Sequence, residues 1–126
     1  MKSWKTTIVM GCAVALLGMV VQSEAASVRV RCEKTSTRSR ISVDGSGLAA
    51  RSFHAEATSG ANIATSQPKT AVGGQAEFDF DSNPADIAAG ATPISPNFIQ
   101  GGQVTGKILN ANNVVKAQST VFCRVR

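Results

Sequence analysis

Hydrophobic positions in this chain recur with period two rather than 3.6, the spacing of half-buried β-strands. The clearest run is C-terminal. There Val115, Ala117, Ser119, Val121, Cys123 and Val125 fall on one face, and Lys116, Gln118, Thr120, Phe122, Arg124 and Arg126 fall on the other. Near the other end Val28, Val30 and Cys32 alternate in the same way with Arg29, Arg31 and Glu33. In both runs the cysteine shares parity with the valines, so the hydrophobic face and a bridge between Cys32 and Cys123 agree with each other.

The stretches between follow the same reading. Ser39–Val43 is expected to be a strand, closed by the turn Asp44-Gly45-Ser46-Gly47. Leu48–Thr58 follows, with Phe53, Ala55 and Ala57 inward and the lone histidine, His54, outward beside Ser52 and Glu56. Ser59–Gly74 reads as a polar loop with a short strand around Asn62–Thr65. Ala76–Asp81 is a strand that puts Ala76, Phe78 and Phe80 in and Glu77, Asp79 and Asp81 out. Pro84–Ala89 has the marks of one helical turn, capped by Ser82 or Asn83 and ended by Gly90. Val104–Leu109 then pairs with the last strand across Asn110-Ala111-Asn112-Asn113.

All four prolines (Pro68, Pro84, Pro93 and Pro96) stay clear of the expected central strands, where a missing N–H would break a ladder. Six or seven short strands with no long amphipathic helix predict an all-β fold. The expected architecture is a small, immunoglobulin-like antiparallel β-sandwich whose disulfide ties the N- and C-terminal strands. The Trp between two cysteines that marks antibody domains is absent, so the expectation concerns architecture alone.

The first 25 residues break this pattern. Lys2 and Lys5 precede an uncharged run from Ile8 to Val21, and Ser23-Glu24-Ala25 places small residues where a signal peptidase reads them. The apolar run is shorter than the 17–25 residues of an ordinary transmembrane helix. A secretory signal cut after Ala25 is therefore expected, followed by one domain over residues 26–126 and a secreted or periplasmic location. Removing 25 of the 126 residues leaves 101, and the loss of Lys2, Lys5 and Glu24 takes the net charge from +5 to +4. Cys12 and Trp4 leave with the segment, so the mature chain carries two cysteines and neither Trp nor Tyr.

An even cysteine count in an exported chain implies a structural disulfide. Closing 92 residues between Cys32 and Cys123 stabilises the fold by roughly 4–5 kcal/mol in the chain-entropy treatment. It also requires the two end strands to lie side by side.

Composition excludes more chemistry than it suggests. Asp79, Asp81 and Asn83 match the opening D-x-D-x-N of a calcium loop, but Pro84 stands where that loop needs glycine and Gly90 where it needs a bidentate Glu. A looser, weak calcium site formed by Asp79, Asp81, Asn83 and Asp86 is the third functional reading. A glycosidase pair lacks the Trp or Tyr on which sugars stack, and no G-x-S-x-G surrounds any serine. One His and no free thiol leave no zinc set. No cofactor, and no enzymatic role, is expected.

Charge supplies the remaining feature. Arg29, Arg31, Lys34, Arg38, Arg40 and Arg51 crowd the N-terminal strands, while four of the seven mature acids lie within 77–86. With the ends tied, Arg29, Arg31, Arg124 and Arg126 form a candidate patch for an anionic surface or protein, joined by Phe122. A single aromatic argues against nucleic acid as that partner. The leading expectation is an exported, non-catalytic binding module. The alternative is a structural or fimbrial-type surface-assembly subunit completed by a neighbour's strand.

Overall fold

The computed structural model describes residues 25–126. The leader expected over residues 1–25 lies, except for Ala25, outside the described residues. Ten strands and one helical turn follow in chain order. They are β1 Ser27–Lys34, β2 Ser39–Ser46, β3 Ser52–Ser59, β4 Asn62–Thr65, β5 Lys69–Thr70, β6 Ala76–Asp81, α1 Pro84–Ala88, β7 Thr92–Pro93, β8 Gln103–Asn110, β9 Val115–Phe122 and β10 Arg124–Val125.

The strands form two sheets packed face to face. Sheet I has the order β9-β8-β3-β4, with β5 also paired to β3, and sheet II has the order β10-β1-β2-β6-β7. The chain is thus an all-β sandwich. Its long pairings are antiparallel, as expected, but both edges of sheet II carry short parallel pairs: β10 with β1, and β7 with β6. Two-residue strands leave no period to read, so sequence alone did not predict them.

The core forms where the apolar faces of the two sheets meet. Val43, Ala55, Ala57, Phe80 and Ile108 are fully buried, and Ile41, Phe78 and Val104 nearly so. Burying a Val, Ile or Phe side chain is worth roughly 1.5–3 kcal/mol, so this layer is the main source of stability. Gly106 of β8 faces Val30 of β1 and Val43 of β2 across the sandwich, where an added Cβ would lie 2.6 Å from Val30 Cγ2. The sheets approach closely here because sheet I presents no side chain.

Two expectations need correction. β2 continues through Asp44 and Gly45 to Ser46, where a turn was expected. Gly45 pairs with Val28 on one side and Ala76 on the other, and an added Cβ would sit 3.0 Å from Leu48 and 3.2 Å from Ile108. This glycine permits close packing rather than a reversal. Asp81 is also not a solvated outward residue; it is 3% exposed.

The C-terminal run divides between the sheets. β9 pairs with β8 in sheet I, and after Cys123 the chain joins β1 in sheet II as β10. Cys123 N–H donates to Gly102 O (2.8 Å) at this crossing. The Cys32–Cys123 disulfide closes there with a Cα–Cα distance of 4.7 Å. The end strands do lie together, as a disulfide demands, but most of the last run belongs to the opposite sheet. Across the β8–β9 hairpin Asn113 takes a positive φ of 61°, the left-handed geometry expected of that Asn-rich turn.

Candidate functional site

Side chains of β1, β2 and β6 that point away from the core cover the outer face of sheet II. The strand registers arrange them in three rows: Arg29–Asp44–Glu77, Arg31–Ser42–Asp79, and Arg124–Glu33–Arg40–Asp81. Neighbouring strands are about 4.8 Å apart, so each row brings charges far apart in sequence within reach of one another. The face is basic toward β10 and β1 and acidic toward β6. A shallow groove of about 470 Å³ runs over it, with Arg31, Arg40, Arg124, Ser42 and Asp79 among its lining residues.

The five residues of the expected anionic-partner patch are not equivalent here. Arg31 Nη2 donates to Asp44 Oδ2 (2.9 Å), and Arg126 Nε pairs with Glu33 Oε2 (2.7 Å), so both are internally neutralised. Arg29 and Arg124 form no ion pair among the described residues, and neither does Arg40, which the patch did not include. Phe122 is 82% exposed but stands on β9, opposite Gln103, in the other sheet. The groove therefore brings Arg31, Arg40 and Arg124 together and leaves Phe122 elsewhere.

The four calcium candidates are largely engaged with protein partners. Arg38, in the turn between β1 and β2, donates through Nε to Asp81 Oδ1 (2.9 Å) and through Nη2 to Asp81 Oδ2 (2.6 Å). The same Nη2 reaches Asp86 Oδ2 of α1 at 2.9 Å. Asp81 Oδ1 also accepts the Asn83 N–H (2.9 Å), and Asn83 Oδ1 caps α1 by accepting the Ala85 N–H (2.9 Å). The guanidinium thus holds the place a cation would take, while Asp79 projects alone on the outer face. Among the described residues no group of three or more His, Cys, Asp or Glu is arranged to hold a metal ion.

Burial alone would push the Asp81 carboxyl up. The Arg38 fork, the Asn83 N–H and the nearby Arg38 and Arg40 charges outweigh it and hold the group below the ordinary carboxylate range. The hydrogen bond to Asp81 raises Arg38 in turn, against the opposing effect of its burial. Sequence reading missed Arg38 as a partner, although a cation beside a strand that faces an acidic row is a usable cross-strand signal.

Three buried serines are likewise spent on the fold. Ser39 Oγ donates to Pro96 O (2.7 Å), and Ser59 Oγ donates to Gln103 O (2.7 Å) while accepting the Gln100 N–H (2.7 Å). Ser66 Oγ accepts the Ala55 N–H at 2.8 Å. These buried hydroxyls thus bond to backbone groups of the strands and loops packed around them. His54 lies half-buried on β3, in register with Leu109. No helix among the described residues is long and apolar enough to cross a membrane. No protein-family model matches the chain, and no curated protein matches it.

Proposed function

We propose that this chain is an exported, non-catalytic binding domain whose working surface is the outer face of sheet II. The leader-like first 25 residues and the disulfide support export to a secreted or periplasmic location. The observation that carries the binding reading is charge segregation on a rigid strand face. Arg29, Arg40 and Arg124 form no ion pair there among the described residues, and Arg40 and Arg124 line a groove of about 470 Å³. Such cations attract the anionic groups of a partner surface or protein. The engagement of the buried serines with backbone supports a role without catalysis.

The reading as a subunit completed by a neighbour's strand has less support. A sandwich lacking a strand exposes part of its core, whereas Val43, Phe80 and Ile108 here are fully buried. A cut after Ala25 would also leave Ala26 alone ahead of β1, with no arm to donate. The calcium reading is weakened because Arg38 already neutralises Asp81 and Asp86.

The test compares the mature domain with a variant carrying Arg29→Ser, Arg40→Ser and Arg124→Ser on an anionic matrix under a salt gradient. The wild-type domain is expected to elute at distinctly higher salt, because each lost phosphate- or sulfate-like contact reduces the salt dependence. Coincident elution would overturn the assignment of this face.

A further inference from the structure

β6 is bordered along its whole length by β2 on one side, but on the other β7 covers only Phe80 and Asp81. Among the described residues no strand runs beside Ala76–Asp79 on that edge. The backbone orientation can be read from one hydrogen bond, Ile94 N–H to Asp81 O at 3.1 Å. Since strand backbone groups alternate sides with period two, Glu77 and Asp79 turn theirs to this same open edge. Lys69 Nζ donates to Glu77 O (2.5 Å), filling from a side chain the place of a strand N–H, and its ammonium lies 5.4 Å over the Phe78 ring. A recess of about 380 Å³ follows the edge between Ser66–Lys69 and Ala89–Thr92.

We propose that this edge is a strand-addition site for an extended polypeptide segment with basic residues at alternate positions. At about 3.3 Å per residue, the four open positions span roughly 13 Å, the reach of a short extended peptide. Charge sets its chemistry. Every second residue of an added strand stands on the outer face opposite Glu77 or Asp79, both exposed and without an ion pair among the described residues. Opposite charges directly across a ladder are favoured and like charges disfavoured. Asp81, the next acid in the row, already has Arg38, so the demand for positive charge ends where β7 begins. The residue between the two basic ones turns to the side of Phe78. Lys69 is the gate, since its ammonium must leave Glu77 O before a peptide N–H can bind there, and a lysine on an open edge is a familiar guard against unselective pairing.

This site adjoins the cationic surface, since Glu77 and Asp79 also line the groove over it, but it rests on the open edge of β6 and not on the unpaired arginines. The experiment is an NMR titration of the mature domain with the peptide Arg-Val-Arg-Val-Arg, with Glu-Val-Glu-Val-Glu as its counterpart. The basic peptide is expected to shift the amides of Glu77 to Asp79, Lys69 and Ala89 to Thr92, and to slow hydrogen exchange at Glu77 and Asp79. The acidic peptide is expected to leave all of these unchanged. A Glu77→Lys, Asp79→Lys variant, altered only at exposed positions, is expected to lose the response to the basic peptide and gain one to the acidic peptide. Shifts confined to Ser42 and Asp44 without slowed exchange would overturn strand addition, as would no shift at all. An unchanged preference in the charge-reversed variant would overturn the charge rule. Because Arg29, Arg40 and Arg124 are untouched, failure here leaves the salt-gradient result on the cationic face unaffected.

Discussion

Adding one methyl at Gly106 tests how the two sheets fit together. An alanine Cβ there would lie 2.6 Å from Val30 Cγ2, 3.0 Å from Val43 Cγ2 and 3.3 Å from Val30 Cγ1. Val43 is fully buried and Val30 is 6% exposed, and both are β-branched and stiff at χ1, so neither can swing aside. Overpacking of this kind costs about 1–3 kcal/mol. Gly106 has no positive φ, so alanine also restricts the unfolded chain and returns about 0.4–1 kcal/mol. The net expectation for Gly106→Ala is a loss of about 1–2 kcal/mol, equivalent to a fall in Tm of roughly 5–10 °C for a domain of this size. Thermal and urea denaturation followed by far-UV circular dichroism would measure it. Val30→Ala removes the clashing methyls, so the double variant should be more stable than the sum of the single effects, by about 1 kcal/mol. A Gly106→Ala protein as stable as wild type, or strictly additive behaviour in the cycle, would refute the close approach of the sheets at this point.

Two further predictions concern the elements that tie the edges. Replacing Cys32 and Cys123 with serine should cost roughly 4–5 kcal/mol from the released loop, seen as a lower urea midpoint. A loss under about 1 kcal/mol would mean that the native contacts hold the ends together unaided. Because Asp81 is held below its ordinary range, its contribution is complete above the unfolded carboxylate value of about 4. It disappears as pH falls through the lower folded value. An Asp81→Asn variant should therefore be less stable than wild type near neutrality, and the gap should narrow on acidification. A gap independent of pH would show that the Arg38–Asp81 pair does not act through charge.

Legibility in the sequence followed the reach of local periodicity. The inward placing of Phe78 and Phe80, the parity shared by Cys32 and the valines, and the Asn-rich hairpin all reported local geometry, and the structure bears out each. What depended on distant partners was not legible. Gly45 reads as a turn residue until Leu48 and Ile108 are seen packed where its Cβ would be. Asp81 has the same outward parity as Asp79, yet Arg38 and Asn83 bury it. Alternation passes through Cys123 without a break, so nothing local marks the change of sheet there. The charge rows had the same limitation, because cross-strand neighbours decide which arginines stay free, and only the register supplies those neighbours.

The crossing at Cys123 also determines how the molecule carries tension. A pull applied between Ala26 and Arg126 passes from β1 into the disulfide and out through β10, bypassing the sandwich. Almost all the folded chain lies inside the covalent loop, whose cysteines are 91 positions apart. Under oxidising conditions the domain behaves as a short, nearly inextensible link that yields only the few residues outside the bridge. Reduction puts the whole sandwich in the load path and releases up to about 320 Å of slack at about 3.5 Å per residue. The redox state of one bond thus decides whether this domain, placed in a chain under load, acts as a rigid coupling or as an extensible one.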